Sequence, residues 1–221
     1  MSYSIESITE SIGARRMGNA PATIDWLLTD SRSLNFPEET LFFALTTKRN
    51  DGARYIADLY ARGVRNFVLS EESFRLMDNG QLTIDNAMQR DDAQSIVNYL
   101  IVPNPLKALQ KLAEQHRNRF QIPVIGITGS NGKTVVKEWL HQLLSPERAI
   151  IRSPRSYNSQ IGVPLSVWQM NEQSELAIFE AGISEPGEMR ALQNIIKPTI
   201  GILTNIGGAH QENLDRKSTR L

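Results

Sequence analysis

The nine residues GITGSNGKT, 126 to 134, constrain this chain more than any other stretch. The apolar run PVIGIT that leads into them has strand length, and a helical pattern starts at Lys133. Gly129 and Gly132 therefore stand where a strand must turn sharply into a helix. In such a turn the backbone amides of Gly129, Ser130, Asn131 and Gly132 point inward, and the helix adds the positive end of its dipole, so the loop makes a seat for phosphate. Lys133 is then placed to bridge terminal phosphates, and Thr134 to offer its hydroxyl to magnesium. The signature is shortened, because a full phosphate-loop pattern carries glycine five residues before Gly132, where this chain has Ile127. A bare Gly-Lys-Thr occurs by chance in surface turns; the strand before it and the helix after it make it a nucleotide-binding loop.

Around the loop the pattern alternates: strand 124–128, helix 133–144 stopped before Pro146, strand 149–152, strand 176–180, helix 186–196, strand 200–206. Strands alternating with helices of this length predict an α/β fold with a parallel sheet covered on both faces, whose ligands gather beyond the carboxyl ends of the strands. Upstream, Asn104 is placed to cap and Pro105 to open a helix whose apolar face runs through Leu106, Leu109, Leu112, Ala113, His116 and Phe120. Before that, TIDWLLTDSR, ETLFFAL and NFVLS are strand-length runs. DGARYIADLYARG carries Ile56, Leu59, Tyr60 and Val64 at helical spacing, with Gly63 as its C-cap. The expected organisation is a small N-terminal α/β domain over 1–103, a truncated P-loop ATPase-type parallel-sheet domain over 104–214, and a polar tail over 215–221, DRKSTRL, read as non-native.

Lysine plus arginine and aspartate plus glutamate both total 24, so no long-range field recruits nucleic acid or an anionic membrane, and any anion must be held by a local site. The absence of cysteine excludes disulfides, thiolate metal sites and a cysteine nucleophile, and it suits a reducing compartment. The N-terminus lacks the basic and then apolar run of a secretion signal, and no apolar stretch approaches membrane-spanning length. A cytoplasmic protein is expected.

Two later residues bear on the phosphate site. Glu180 ends the apolar run LAIFE, and His210 follows the run IGILTNIGG. If both runs are parallel strands beside the strand of the loop, both side chains emerge at the same sheet edge as Lys133 and Thr134. A carboxylate, an imidazole and a threonine hydroxyl around a polyphosphate would describe a magnesium site. Spacing alone leaves Glu180 open as a capping or solvated carboxylate and makes His210 an ordinary loop histidine. His116 and His141 read as packing or surface residues, and Lys137 with Glu138 as a solvated helix face.

The segments TGSNGKT, YNSQIGVPLS, EAGISEPGEM and TNIGGAH, in this order and spacing, closely resemble the Mur ligases of bacterial cell-wall synthesis. TDSRSLNFPEETLFFAL and RNDGARYI resemble that family's N-terminal UDP-binding domain, so the resemblance runs from about residue 25 to residue 213. Within the family, the PGE after the Glu-x-Gly strand end and the Ala-His pair at 209 and 210 match the members that add D-alanyl-D-alanine to UDP-N-acetylmuramoyl-tripeptide. The resemblance implies ATP-dependent amide formation: the γ-phosphate of ATP passes to the tripeptide carboxylate, and the amine of D-alanyl-D-alanine attacks the acyl phosphate. By position it implies that Lys133 contacts the β and γ phosphates, Thr134 ligates a first Mg2+, Glu180 and His210 hold a second, and Asn158 lies near the reacting groups. It also implies that Ser31, Arg32, Asn50, Asp51 and Gly52 hold the uridine nucleotide, although Arg32 and Asp51 would equally suit a structural ion pair. Sister Mur ligases, folylpolyglutamate-type ligases and a non-catalytic nucleotide-sugar-binding module are the alternatives.

This chain departs from the family in having Ala53 after Gly52, where histidine is usual. It also stops inside the family's second domain. The resemblance therefore implies a fragment whose C-terminal domain and downstream carbamoylated lysine are missing, Lys217 not being assigned that role. The expectation is measurable binding of the UDP-sugar, weak or no binding of magnesium ATP, and no ligation by the chain alone, with exposed apolar edges where the central sheet breaks off.

Overall fold

In a computed structural model the chain is described over residues 1–47, 50–78, 96–184 and 187–207. It divides into two units, Met1–Leu112 and Ala113–Leu221, the division falling inside the helix that begins at Pro105.

The first unit opens with β1 (Tyr3–Ser4) and α1 (Ile5–Ile12). The Ser4 hydroxyl caps α1 by accepting from the Ser7 amide, and Gly13, at φ 69°, closes it in the left-handed region that glycine enters without strain. Ile5, Ile8 and Ile12 form its buried stripe. There follow β2 (Arg15–Met17), β3 (Thr23–Ile24), β4 (Trp26–Leu28), β5 (Thr40–Phe43), the hairpin of β6 (Thr46–Thr47) and β7 (Asn50–Asp51), α2 (Ile56–Ala61), β8 (Asn66–Ser70), α3 (Glu71–Asp78) and β9 (Asn98–Val102). The main sheet runs β2-β9-β8-β5-β4, parallel except for β2 at one edge. A parallel strand is covered on both faces, which is why β5 is a continuous buried run, TLFF, rather than an alternating one. Phe42, Phe67, Leu59 and Ile56 lie in its core. The helix expected over 51–63 begins as a 3₁₀ turn, Gly52–Tyr55, and becomes α-helical at Ile56; Gly63 follows it at φ 100°.

The helix α4 (Pro105–Arg117) starts as its sequence predicts, with the Asn104 side chain accepting from the Lys107 amide at 3.0 Å. The second unit then contains β10 (Val124–Thr128), α5 (Lys133–Leu144), β11 (Ile150–Arg152), α6 (Gly162–Val167), β12 (Leu176–Glu180), α7 (Glu188–Ile196) and β13 (Ile200–Leu203). Its sheet is parallel throughout, in the order β11-β12-β10-β13. Side chains alternate across it. Ile125, Ile127, Leu176 and Ile178 pack under Val136, Leu140 and Leu144 of α5. Val124, Ala177 and Phe179 face the other way, onto Val163 and Val167 of α6 and Leu192, Ile195 and Ile196 of α7. Glu180, next in the alternation of β12, falls on the α5 side.

Two expectations are corrected here. The last strand ends at Leu203 rather than 206, because after Thr204, whose amide still donates to the Thr128 carbonyl, the segment to Gly207 turns to bind the phosphate-type loop. Lys137 is not on a solvated face but fully buried, at 0% exposure. The expected apolar edge is present: Ile200, Leu203 and Ile206 are exposed, and a groove of about 390 Å³ lies beside β13, between Ile202, Pro198 and Met189.

His116 on α4 is a packing residue, 2% exposed, its ring 4.7 Å from that of Trp168 and 5.0 Å from that of Phe120. Burial pushes its pKa down to about 4, outweighing the upward pull of the Met170 carbonyl oxygen 3.0 Å from Nε2. The folded chain thus keeps the ring neutral while the unfolded chain takes up a proton below about pH 6.5, so this contribution is whole above that pH and is lost as pH falls toward 4. His116→Gln should flatten the stability profile over that window by up to about 3 kcal/mol, measured as urea midpoints across it. An unchanged slope would assign the acid sensitivity to other groups.

Candidate functional site

The site is built where β10 gives way to α5. Gly129 sits at φ 134°, and a Cβ there would lie 2.2 Å from the Thr204 hydroxyl and 2.9 Å from the Asn205 backbone. Gly132 caps α5 at φ 82°. The two glycines do separate work: the first admits a close approach of backbone, and the second turns the chain into the helix.

The loop is held by the segment leaving β13. The Ser130 amide donates to the Asn205 carbonyl at 3.0 Å, and the Asn131 amide to the Asn205 side-chain oxygen at 2.9 Å. The Thr204 hydroxyl donates to the Asn131 carbonyl at 2.5 Å, and the Gly207 amide to the Ser130 hydroxyl at 2.8 Å. The Lys133 ammonium folds back over the loop to donate to the Gly129 carbonyl at 2.6 Å.

Because β12 pairs in parallel with β10, with Ile127 opposite Glu180, the Glu180 carboxylate emerges at the same sheet edge as the loop. The Thr134 hydroxyl donates to Glu180 Oε2 at 3.1 Å. Glu180 Oε1, fully buried, makes no hydrogen bond, but lies 3.0 Å from the Lys137 ammonium in an ion pair. Lys137 also donates to the Ser153 carbonyl at 2.8 Å and to that of Arg155, and pairs with Glu138 at 3.1 Å. Sequence reasoning missed Lys137. Its spacing from Thr134 and its place among the apolar α5 positions were the available signals.

Of the residues singled out, Gly129, Ser130, Asn131, Gly132, Lys133, Thr134 and Glu180 therefore meet at one rim. The Asn158 carbonyl accepts from the Gly182 amide at 2.7 Å, two residues past Glu180, and its side-chain oxygen would lie 3.0 Å from a Cβ on Gly182. His210 lies outside the described residues. Among the described residues no cluster of three histidine or acidic side chains stands ready for a metal. The ligands present, the Thr134 hydroxyl and the Glu180 carboxylate that accepts from it, are nevertheless oxygens of the kind that a hard cation takes, so Thr134 and Glu180 fit magnesium.

In the first unit, the Asp30–Arg32 turn leaves the carboxyl end of β4, and the β6–β7 hairpin follows that of β5. As β4 and β5 are parallel neighbours, both emerge at one edge of their sheet. The Arg32 guanidinium pairs with Asp30 at 2.6 Å, not with Asp51, and its side chain is 88% exposed. This partner holds the Asp30 carboxyl below its usual pKa. Asp51 accepts from the Ala53 amide, the Thr46 hydroxyl and the Ser73 hydroxyl, which ties the hairpin to α3. Gly52 packs its backbone against Ala44 and Leu45, where a Cβ would lie 2.8 Å from the Leu45 nitrogen. The Ser31 carbonyl accepts from Arg62 at 2.9 Å; the Asn50 side chain lies outside the described residues.

Residues 127–218 match the Mur ligase middle domain. Over 196 residues the chain is 33% identical to the UDP-N-acetylmuramoyl-tripeptide--D-alanyl-D-alanine ligase of Borreliella burgdorferi, covering 88% of this chain and 40% of that one. It is 30% identical to the ligase of the same name from Bacillus subtilis over 191 residues, with 86% and 38% covered. Among solved structures it resembles MurF from Acinetobacter baumannii, with a TM-score of 0.78 at 24% identity over 96% of this chain and 42% of that one, a likeness of fold. It also resembles the MurF ligase of Thermotoga maritima in complex with ADP, with a TM-score of 0.65 at 27% identity over 84% and 38%. The chain spans about 40% of the length of the curated relatives it matches.

Proposed function

The chain belongs to the Mur ligase family, and on that premise we propose that it forms the UDP-sugar-binding and nucleotide-binding part of a ligase that joins D-alanyl-D-alanine to UDP-N-acetylmuramoyl-tripeptide at the expense of ATP. The observation that carries this reading is the shared rim of loop and carboxylate at the carboxyl ends of β10 and β12, in a chain similar over 88% of its length to a ligase of that name.

On this reading the Gly129 and Gly132 amides and the N-terminus of α5 receive the ATP phosphates, the Ser130 and Asn131 amides join them only on leaving Asn205, and Lys133 exchanges the Gly129 carbonyl for the β and γ phosphate oxygens. A tripeptide carboxylate oxygen bonds to the γ phosphorus as the bond to ADP breaks. The amine nitrogen of D-alanyl-D-alanine then attacks the acyl carbon, gives up a proton, and phosphate leaves. Both partners of the first step are anions, so positioning and charge neutralisation carry it. Magnesium, when bound, supplies positive charge against the phosphoryl oxygens, and Thr134, Glu180 and His210 are the residues that would hold it. Asn158, against Gly182, would orient the reacting groups.

In the first unit, Ser31, Arg32 and Asn50 are the proposed contacts to the UDP moiety, with Asp51 and Gly52 shaping the hairpin that carries Asn50. The exposed Arg32–Asp30 pair holds Arg32 weakly, so its guanidinium is free to turn to a diphosphate. No described helix is long and apolar enough to cross a membrane, and a cytoplasmic site of action is proposed for a ligase of soluble nucleotide precursors.

Calorimetric titration of the chain with UDP-N-acetylmuramoyl-tripeptide should give saturable binding, weakened about tenfold by Arg32→Ala. No heat of binding would remove the assignment of the first unit. In the full-length protein, ligation of D-alanyl-D-alanine is expected. Ligation of a single amino acid would move the chain to a sister Mur ligase, glutamate addition to a folate to the polyglutamate enzymes, and binding without ligation to a non-catalytic module.

A further inference from the structure

Lys137 is a fully buried cation one turn beyond the loop lysine on α5, and the reaction outlined above gives it no role. Its ammonium belongs to a closed circuit. Lys137 donates to the Ser153 carbonyl at 2.8 Å, the Glu180 amide donates to the Ser153 hydroxyl at 3.2 Å, and Glu180 Oε1 lies 3.0 Å from the Lys137 ammonium. The other carboxylate oxygen, Oε2, takes the Thr134 hydroxyl. A carboxylate fixed at each oxygen by a different residue has its plane set. The Arg155 carbonyl on the same ammonium belongs to a residue at φ 48°, in the left-handed region, three positions before Asn158.

We propose that Lys137 is a positioning residue of the phosphoryl-transfer site, holding the Glu180 carboxylate in the orientation in which it receives the metal ion. The proposal rests on the reading of Glu180 as a metal ligand. Stability alone is a poor reason for such a pair, because taking two charges out of water costs about as much as their attraction returns, and an apolar pair of similar volume does as well or better. What the charged pair supplies is direction. The ammonium is anchored by backbone carbonyls that a methylene chain would leave unbonded, and it reaches the one Glu180 oxygen that has no hydrogen bond. Supporting groups of this kind orient a metal ligand without touching the ion.

The test is Mn2+ binding to the full-length protein saturated with ADP, followed by electron paramagnetic resonance, in the wild type, Lys137→Met, Glu180→Gln and the double variant. Lys137→Met should weaken Mn2+ binding about 10- to 100-fold while metal-free ADP affinity stays within about twofold, a split that general loosening of the fold would not produce. In the Glu180→Gln background the same replacement should add nothing, since a residue acting through Glu180 has nothing left to orient. Should Lys137→Met fail to fold, the double variant, in which neither charge is left unpaired, still carries the comparison with Glu180→Gln. Wild-type Mn2+ affinity in Lys137→Met, or a further tenfold loss in the double variant, would overturn the proposal. Failure of the wild type to bind Mn2+, or full binding by Glu180→Gln, would instead overturn the metal reading of Glu180, and this inference with it.

Discussion

Replacing Lys133 by alanine should cut ligase turnover in the full-length protein about 10²- to 10³-fold, the usual consequence of removing one charge aimed at a reacting oxygen. The unfolding free energy should change by no more than about 0.5 kcal/mol. The separation of the two effects follows from the Lys133 contacts. Its ammonium donates to the Gly129 carbonyl of its own loop, so the side chain holds no other element in place. Removing it deletes a movable cation and leaves the loop anchored through Thr204, Asn205 and Gly207. Lys133→Arg should not restore the rate, because a planar, delocalised guanidinium does not replace a compact ammonium point charge. Phosphate release under saturating substrates is the measurement. Unchanged turnover in Lys133→Ala would show that the loop takes no part in catalysis.

Gly129→Ala should be worse for binding and also costly to the fold. The added methyl would lie 2.2 Å from the Thr204 hydroxyl and 2.9 Å from two Asn205 backbone atoms, at a φ of 134° that side chains avoid. The loop must then move away from the β13 exit, giving up the bonds that fix its backbone. A displacement of about 1 Å costs on the order of 10²-fold in a positioned site, and the backbone strain adds about 1–3 kcal/mol of instability. Nucleotide titration of the full-length protein with a parallel urea melt reads both. Wild-type affinity in Gly129→Ala would mean that the loop does not use this conformation when phosphate is bound. Gly132→Ala is the milder change, since only the Thr204 Cβ lies near, at 3.9 Å, although φ is again positive.

The second unit was legible because its signals are local. Strands 124–128 and 176–180 and helix 133–144 are bounded by glycine, proline and a change of apolar period from two to nearly four, and the observed limits of all three coincide with those read from the sequence. The parallel ladder then places Glu180 beside the loop without further information. The burial of Lys137 went unread despite its spacing to Leu140 and Leu144, because a lysine inside an amphipathic helix pattern looks solvated unless its partners are known. These are Glu180, Ser153 and Arg155, between 16 and 43 residues away along the chain. The early end of β13 was hidden for a related reason: Thr204 and Asn205 continue an apolar run but are drawn off by hydrogen bonds to a loop more than 70 residues earlier. In the first unit, α1, α3 and β9 escaped the reading. The Ser4 cap and the Ile5, Ile8, Ile12 spacing would have revealed α1. Asp51 took its role from a hydroxyl on α3, which no short-range pattern announces.

The side of β12 from which Glu180 projects is decided by counting from Leu176. A single codon gained or lost within LAIFE would turn this carboxylate toward Leu192 and Ile195 and thrust Phe179 or its neighbour into the rim proposed for the nucleotide, undoing the core and that site in one event. Relatives that carry this carboxylate should therefore vary in loop length on either side of the strand while admitting no indel inside it.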